Sequence, residues 1–448
     1  MKQRLIFCMI GFMFLTTPLR AQDTTRAVSR EEFEETESTL EGIGETLADI
    51  RNTVDALKKL KISGYLQSQY QVAQTRGVSS VAGGNFPTNV RSRFSVRRGR
   101  IKFNYVNDLS QYVLQIDVTQ NGVGIKDAYV AIIDPWEKTF GLTAGVFDRP
   151  FGFEISYSSG SREMPERSRL FQALFPGERE LGAKLEILPQ EGPISFFNFR
   201  GGFFNGVSNT ANENNRHKDL IGRMGVQVPF TEENLEIDGG ISLYSGKVTN
   251  TSKFVYSVDP SAAVKRFAVD SAVSNTGAMH ARDYYGGDIQ LYYDVPGFGG
   301  LSLRGEYITG TQPGTSSGTS FYNPYTSAGA TDAVTALYMR KFAGWYVAYI
   351  QNIGVAHQFV ARYDEFDPNT DVSGADVGVS GGNLGPADLR ISTFGLGWIY
   401  HFDASVKFTF YYDIVMNEKA AQSATGSLAA FREDLEDNVF TLRAQFRF

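Results

Sequence analysis

No stretch of this chain approaches the 18 or so consecutive apolar residues that a membrane-spanning helix requires, so helical spans are excluded. Cysteine is nearly absent. The single one, Cys8, lies inside an N-terminal apolar run and not at its end, which argues against lipoprotein attachment; beyond that run no disulfide or thiolate metal site is possible. Histidine is scarce as well. His217, His280, His357 and His401 fall on separate segments with no HExxH spacing, so nothing points to a metal centre, and no cofactor is expected. Nor is there a surplus of positive charge: 43 Lys and Arg stand against 49 Asp and Glu, a net charge of −6, which argues against a nucleic-acid partner.

What is present points elsewhere. Residues 1–22 carry Lys2 and Arg4, an apolar run from Leu5 to Leu15 and a small-residue exit at Ala21, the layout of a cleaved secretory signal. Losing Lys2, Arg4 and Arg20 with it takes the basic count from 43 to 40 against 49 acids, a net charge of about −9. Gly 46, Tyr 22 and Phe 34 are high, while the mean hydropathy is only −0.22. A membrane protein without apolar helices has to be a closed barrel, because lipid offers no partner for backbone N–H and C=O groups.

The stretch Asn438 to Phe448 shows what such a barrel is made of. Phe440, Leu442, Ala444, Phe446 and Phe448 alternate with Thr441, Arg443, Gln445 and Arg447, which gives a strand one apolar and one polar face. An aromatic residue ending such a strand resembles the insertion signal read by the outer-membrane barrel-assembly machinery, and Phe448 occupies that position. Similar alternation recurs at Val406 to Ile414, Leu301 to Tyr307 and Tyr112 to Thr119, with a hydrogen-bonding inner face throughout. Trp345, Tyr346, Trp398 and Tyr400 are read as interfacial girdle residues.

Sixteen strand-like segments follow Lys61, and their connections alternate in length. Short ones fall at Asn107–Ser110, Asp134–Lys138, Gln190–Pro193, Thr231–Asn234, Pro296–Gly300, Asn352–Ala356 and Asp403–Ser405. Long ones span Ala73–Arg93, Arg149–Arg179, Asn205–Arg216, Lys247–Ala281, Gln312–Ala336, Asp367–Ala387 and Asn417–Asp434, with one brief turn near Gln120–Val123. Periplasmic turns and extracellular loops sort in this way. The expected fold is therefore an all-β transmembrane antiparallel barrel of about 16 strands over 61–448, in contact with outer-membrane lipid, its lumen wide enough for water.

Residues 23–60 read differently. Phe33, Leu40, Leu47 and Val54 repeat every seven residues, with Thr36, Ile43, Ile50 and Leu57 three later, which is the heptad of a short periplasmic coiled coil. Leu at the first core position and Ile at the second favour trimers or tetramers. Gly42 and Gly44 each cost about 1 kcal/mol, so the helix is expected to need association.

Four segments carry a family resemblance: FSVRRGRIKF (Phe94–Phe103), DAYV (Asp127–Val130), GVFDRPFGFE (Gly145–Glu154) and PGERELG (Pro176–Gly182). They resemble the phosphate-selective porin O and P family, and the added coiled coil resembles members from Bacteroidetes-type bacteria. The resemblance implies a homotrimeric outer-membrane porin whose third extracellular loop, here Arg149–Arg179, folds inward, with basic residues guiding small anions.

The basic residues can be placed on that frame. Arg98, Arg100 and Lys102 share one face of the second strand, and Arg223, Arg304, Arg362, Lys407, Arg443 and Arg447 are further lumen candidates. Arg149, Arg162, Arg167, Arg169 and Arg179 lie in or beside the third loop. Two charges 4 Å apart interact by about 1 kcal/mol in open water and by about 4 where the effective dielectric is near 20, so selectivity belongs to the narrow zone. Against this, the loop also holds Glu154, Glu163, Glu166, Glu178 and Glu180, which can pair with those arginines. Asp117, Glu306, Asp364 and Asp413 dilute the lumen, and Asp148 stands where the family often carries a lysine. The expected function is passive diffusion of small hydrophilic solutes with a preference for anions or phosphate, and no enzymatic activity. A surface adhesin or a barrel enzyme is the alternative; the Ser-, Thr-, Gly- and Ala-rich loops Lys247–Ala281 and Gln312–Ala336 read as solvated surface.

Overall fold

A strand with one apolar and one polar face satisfies both only if its neighbours close a ring, lipid outside and polar groups inside, and that is what this chain does. A computed structural model describes residues 30–79, 84–208, 212–320 and 335–448; the expected leader lies outside them. The strands run β1 (Leu60–Ala73), β2 (Ser92–Val106), β3 (Ser110–Thr119), β4 (Gly122–Ile133), β5 (Phe140–Asp148), β6 (Arg179–Ile187), β7 (Phe197–Phe204), β8 (Asp219–Phe230) and β9 (Leu235–Thr249). After β10 (Val255–Val258) and β11 (Phe267–Asp270) come β12 (Met279–Val295), β13 (Gly299–Gly314), β14 (Leu337–Ile353), β15 (His357–Asp367), β16 (Ile391–His401), β17 (Val406–Asn417) and β18 (Val439–Arg447).

Sixteen of these form the barrel, each antiparallel to its neighbours, with β9 joined directly to β12 and β18 closing on β1. At the seam Gly64 and Phe448 exchange both backbone hydrogen bonds, at 3.0 and 3.1 Å. The short β10–β11 hairpin stands outside the ring, in the long connection between β9 and β12, and β10 lies parallel to β14. That connection is therefore not plain solvated surface. Phe267 packs with Val377, Leu384, Leu389, Ala420 and Ala424 in a small core shared by the long loops, where Arg340 and Asp388 pair at 2.8 Å.

Outside, Leu114, Tyr307, Leu303, Phe410 and Tyr412 are exposed towards lipid, while Gln115, Arg304, Glu306, Thr409 and Tyr411 on the same strands are buried inside. The lumen is not polar throughout. Tyr244, Tyr284, Ile308, Phe342, Tyr346 and Phe366 point inward and pack in the main hydrophobic cluster; the three tyrosine hydroxyls still donate hydrogen bonds, to Asp219, Gln312 and Glu306, but Ile308, Phe342 and Phe366 break the expected all-hydrogen-bonding inner face on β13 to β15. Tyr346 is accordingly a lumen residue and not part of a girdle, whereas Trp398 and Tyr400 are exposed outside.

The N-terminal helix α1 (Arg30–Lys59) is a separate unit of the chain. It is continuous through Gly42 and Gly44, and its heptad residues Leu40, Ile43, Leu47, Ile50, Val54 and Leu57 are all exposed.

Candidate pore constriction

The third connection on the long-loop side, between β5 and β6, folds inside the barrel. Its sequence forces this. Phe151, Ile155, Met164, Leu170, Phe171, Leu174 and Phe175 would face water in a surface loop, and burying each contributes about 1.5–3 kcal/mol. All seven are buried, around the short helix α2 (Arg169–Leu174). Phe175 meets Tyr284 at 5.6 Å and Tyr244 at 6.1 Å, and Phe171 meets Tyr346 at 6.4 Å, so the aromatic lumen residues are the seat of the loop.

Hydrogen bonds then fasten the loop to strands all round the ring. Glu306 on β13 accepts from the backbone N–H groups of Phe153 at 2.8 Å and Glu154 at 2.6 Å, and from the Tyr346 hydroxyl at 2.6 Å. Gly152 beside them has φ +60°, and a Cβ there would stand 2.2 Å from a Glu306 oxygen, so only glycine fits. At the loop tip, Gln67 on β1 donates to the Ser159 carbonyl at 2.9 Å and Gln445 on β18 to the Gly160 carbonyl at 2.8 Å. Arg443 on β18 donates to Pro165 at 2.6 Å, and Lys407 on β17 to Arg162 at 3.2 Å.

The charges of the loop are shared unequally. Glu166 is held by Arg97 at 2.7 Å, Arg98 at 3.0 Å and Arg443 at 2.9 Å. Glu178 is held by Lys126, by Arg167 and, at 3.5 Å, by Arg179, which also takes Asp127 at 2.7 Å. Burial alone would raise both carboxyls, but their cationic neighbours hold Glu166 and Glu178 well below the usual carboxylate range. Between the two clusters lies a cavity of about 320 Å³, lined by Arg97, Arg98, Arg100, Lys126 and Arg167 against Asp117, Glu166 and Glu178.

Two of these cations were not legible as lumen residues. Strict alternation puts Arg97 and Lys126 on the lipid side, next to Arg98 and Asp127. A β-bulge corrects each: β1 pairs Gln67 with Arg98 and then Ser68 with Val96, and β3 pairs Gln115 with Asp127 and then Ile116 with Ile125. The extra residue on the bulged strand turns inward with its neighbour. The available signal was two adjacent charges, Arg97–Arg98 and Lys126–Asp127, in strands that otherwise alternate.

The profile described as "Phosphate-selective porin O and P" matches residues 78–448. The chain belongs to that family. As a porin it is an outer-membrane channel, and solved structures share its barrel. It is similar to OprB of Pseudomonas putida (TM-score 0.54, 9% identity, covering 88% of this chain and 96% of that one). It is also similar to an anion-selective porin from Comamonas acidovorans (0.51, 10%, 87% and 99%) and to the outer membrane channel DcaP of Acinetobacter baumannii (0.50, 13%, 87% and 97%). No curated protein sequence gives a significant match.

The remaining candidate residues of this porin separate by partner. Arg100 pairs with Asp117 at 3.0 Å, Arg149 with Glu180 at 3.0 Å, Arg223 with Asp288 at 2.6 Å, Arg304 with Glu163 at 3.1 Å and Arg362 with Asp364 at 3.0 Å. Arg169 stands half-buried at the start of α2, its backbone N–H on Asp364 at 3.2 Å. Lys102 and Arg447 make no ion pair within 4.0 Å among the described residues. Arg162 is 4% exposed, yet its two terminal nitrogens have no hydrogen-bond partner among the described residues. Burial first, then Arg167 and Arg98, pull its guanidinium well below the ordinary value. Two Gly-x-Ser-x-Gly stretches, Gly314–Gly318 and Gly378–Gly382, lie at a strand end and in a loop, not at the strand-to-helix turn of a nucleophile elbow.

Proposed function

We propose that this porin passes small hydrophilic solutes by diffusion and favours anions at the constriction made by its third loop. The observation that carries the reading is the three-to-one sharing of Glu166 and Glu178, which leaves positive charge around a cavity of about 320 Å³ that an anion can answer. Arginines offer a phosphate or carboxylate two parallel donors, and Arg162 has donors to spare. Because each cation lining the cavity is already partly neutralised by a carboxylate, a passing anion is attracted without being trapped. Arg98, Arg100, Arg162, Arg167 and Arg443 are the residues assigned to this route.

The porin works as a homotrimer after loss of the leader at 1–22, with the α1 heptads of three copies associating in the periplasm. Six exposed apolar residues at heptad spacing support that association. Phe448 serves as the insertion signal for the barrel-assembly machinery.

Single-channel recording of the purified protein in a planar bilayer tests the selectivity. In a KCl gradient the reversal potential is expected on the chloride side, and added phosphate is expected to reduce the chloride current. Current that is unselective or cation-preferring would end the anion reading and leave the channel.

A further inference from the structure

Below the loop, at the short-turn end that is periplasmic in such barrels, the lumen charges divide by wall. Lys61, Lys102, Lys407 and Arg447 stand on β1, β2, β17 and β18, four strands contiguous across the seam. By strand parity each shares the inward side: Lys61 with Gln67, Lys102 with Arg98, Lys407 with Thr409, Arg447 with Arg443. Glu236 and Asp238 on β9 and Asp294 on β12 share the inward side of their strands with Ser242 and Gln290. None of these seven has an opposite charge within 4.0 Å among the described residues.

The two groups face each other. In the ring, β3 to β8 separate the walls on one side and β13 to β16 on the other, so the walls are nearly diametric. All seven residues lie within about four positions of the short-turn ends of their strands, hence at one level. The charges between them are paired off: Lys184 and Arg200 each reach Glu186 at 3.2 Å, and Arg304 reaches Glu163. On the underside of the loop Lys407 binds the Arg162 carbonyl and Glu163 is paired with Arg304, so the loop adds no unpaired charge of its own to either wall. A cavity of about 550 Å³ lies against the acidic wall, lined by Glu236, Asp294, Tyr292 and Arg304.

A row of unpaired cations facing a row of unpaired carboxylates across water sets up a field perpendicular to the pore axis. We propose that this vestibule orients dipolar solutes, and that zwitterions such as amino acids and short peptides pass more readily than neutral solutes of equal size. A zwitterion entering it turns its carboxylate towards β17–β18–β1–β2 and its ammonium towards β9–β12, gaining at both ends at once. A neutral solute gains nothing, and a simple ion gains at one wall what it loses at the other. The inference rests on the channel reading and is independent of the anion preference at the loop.

Liposome swelling with glycylglycine and with arabinose, which are close in mass, measures it. For the native porin the glycylglycine rate is expected to exceed the arabinose rate by about threefold, the scale of charge interactions screened by water. Neutralising one wall (Lys61→Gln, Lys102→Gln, Arg447→Gln) or the other (Glu236→Gln, Asp238→Asn, Asp294→Asn) is expected to lower that ratio in both cases. A ratio that stays put in both, or that falls in one and rises in the other, would mean the walls act as separate ion filters and would overturn the proposal. Swelling by neither solute would remove the channel and the proposal with it. If a triple variant fails to assemble, Lys102→Gln and Glu236→Gln alone should move the ratio the same way by less.

Discussion

Glu166 is surrounded by more positive charge than it can neutralise, and its pH behaviour follows from that. A carboxyl whose native pKa is depressed contributes its full stabilisation above the unfolded value, near 4.5, and loses it only as pH falls through the depressed one. Glu178 has the same sign. The loop attachments at both residues are therefore expected to hold from neutral pH to below 4.5, and conductance recorded down that range should change only under stronger acid. Glu166→Gln removes the shared partner and leaves three guanidinium groups facing one another. The midpoint of heat unfolding is expected to fall, by about 3 kcal/mol in stability, while the reversal potential moves further to the anion side. Residue by residue, the sequence allowed Arg98, Arg100 and Lys102 to be placed, because a period of two is enough for a face. It did not reveal Arg97 or Lys126, because a bulge depends on the register of the neighbouring strand. Nor could it say which arginines are spent on carboxylates, since Arg443 and Glu166 are 277 positions apart.

At the level of elements, the third loop behaves as a small core inserted into a tube. Its apolar side chains needed a partner surface, and the tube supplies one by turning aromatic rings inward at Tyr244, Tyr284, Phe342, Tyr346 and Phe366. Phe171→Ala should weaken this seat by about 3–5 kcal/mol while leaving the strand ladder intact. Single-channel conductance is expected to rise, with the barrel still heat-modifiable on gels. The inward loop was expected from the resemblance. Its seat was not, because an aromatic residue at an inward position reads the same as one at a girdle until the register is known. The helix α1 was legible from its heptads alone. Deleting Phe33–Leu57 is expected to lower the temperature above which cross-linking applied after heating no longer captures trimers, without reducing the yield of folded barrel.

For the whole molecule, connection lengths were the most informative part of the sequence: every short turn expected at one end is present between the strands observed. Counting alone does not close a ring, however. Closure depends on Gly64, where a Cβ would lie 2.2 Å from the Arg100 carbonyl oxygen and 2.7 Å from the Phe448 ring. Gly64→Val should leave most of the protein migrating as the unfolded form in heat-modifiability gels, since the Phe448 ring can swing aside but the Arg100 carbonyl cannot move without disrupting the β1–β2 ladder.

The tip of the third loop holds on to β1 through Gln67, to β18 through Gln445 and Arg443, and to β17 through Lys407, which means it holds both sides of that seam. A half-assembled sheet with β1 and β18 apart cannot offer the tip its full set of partners. Closing the cylinder is thus what completes the set of partners at the loop tip, so a loosened seam would be felt first at the narrowest part of the channel.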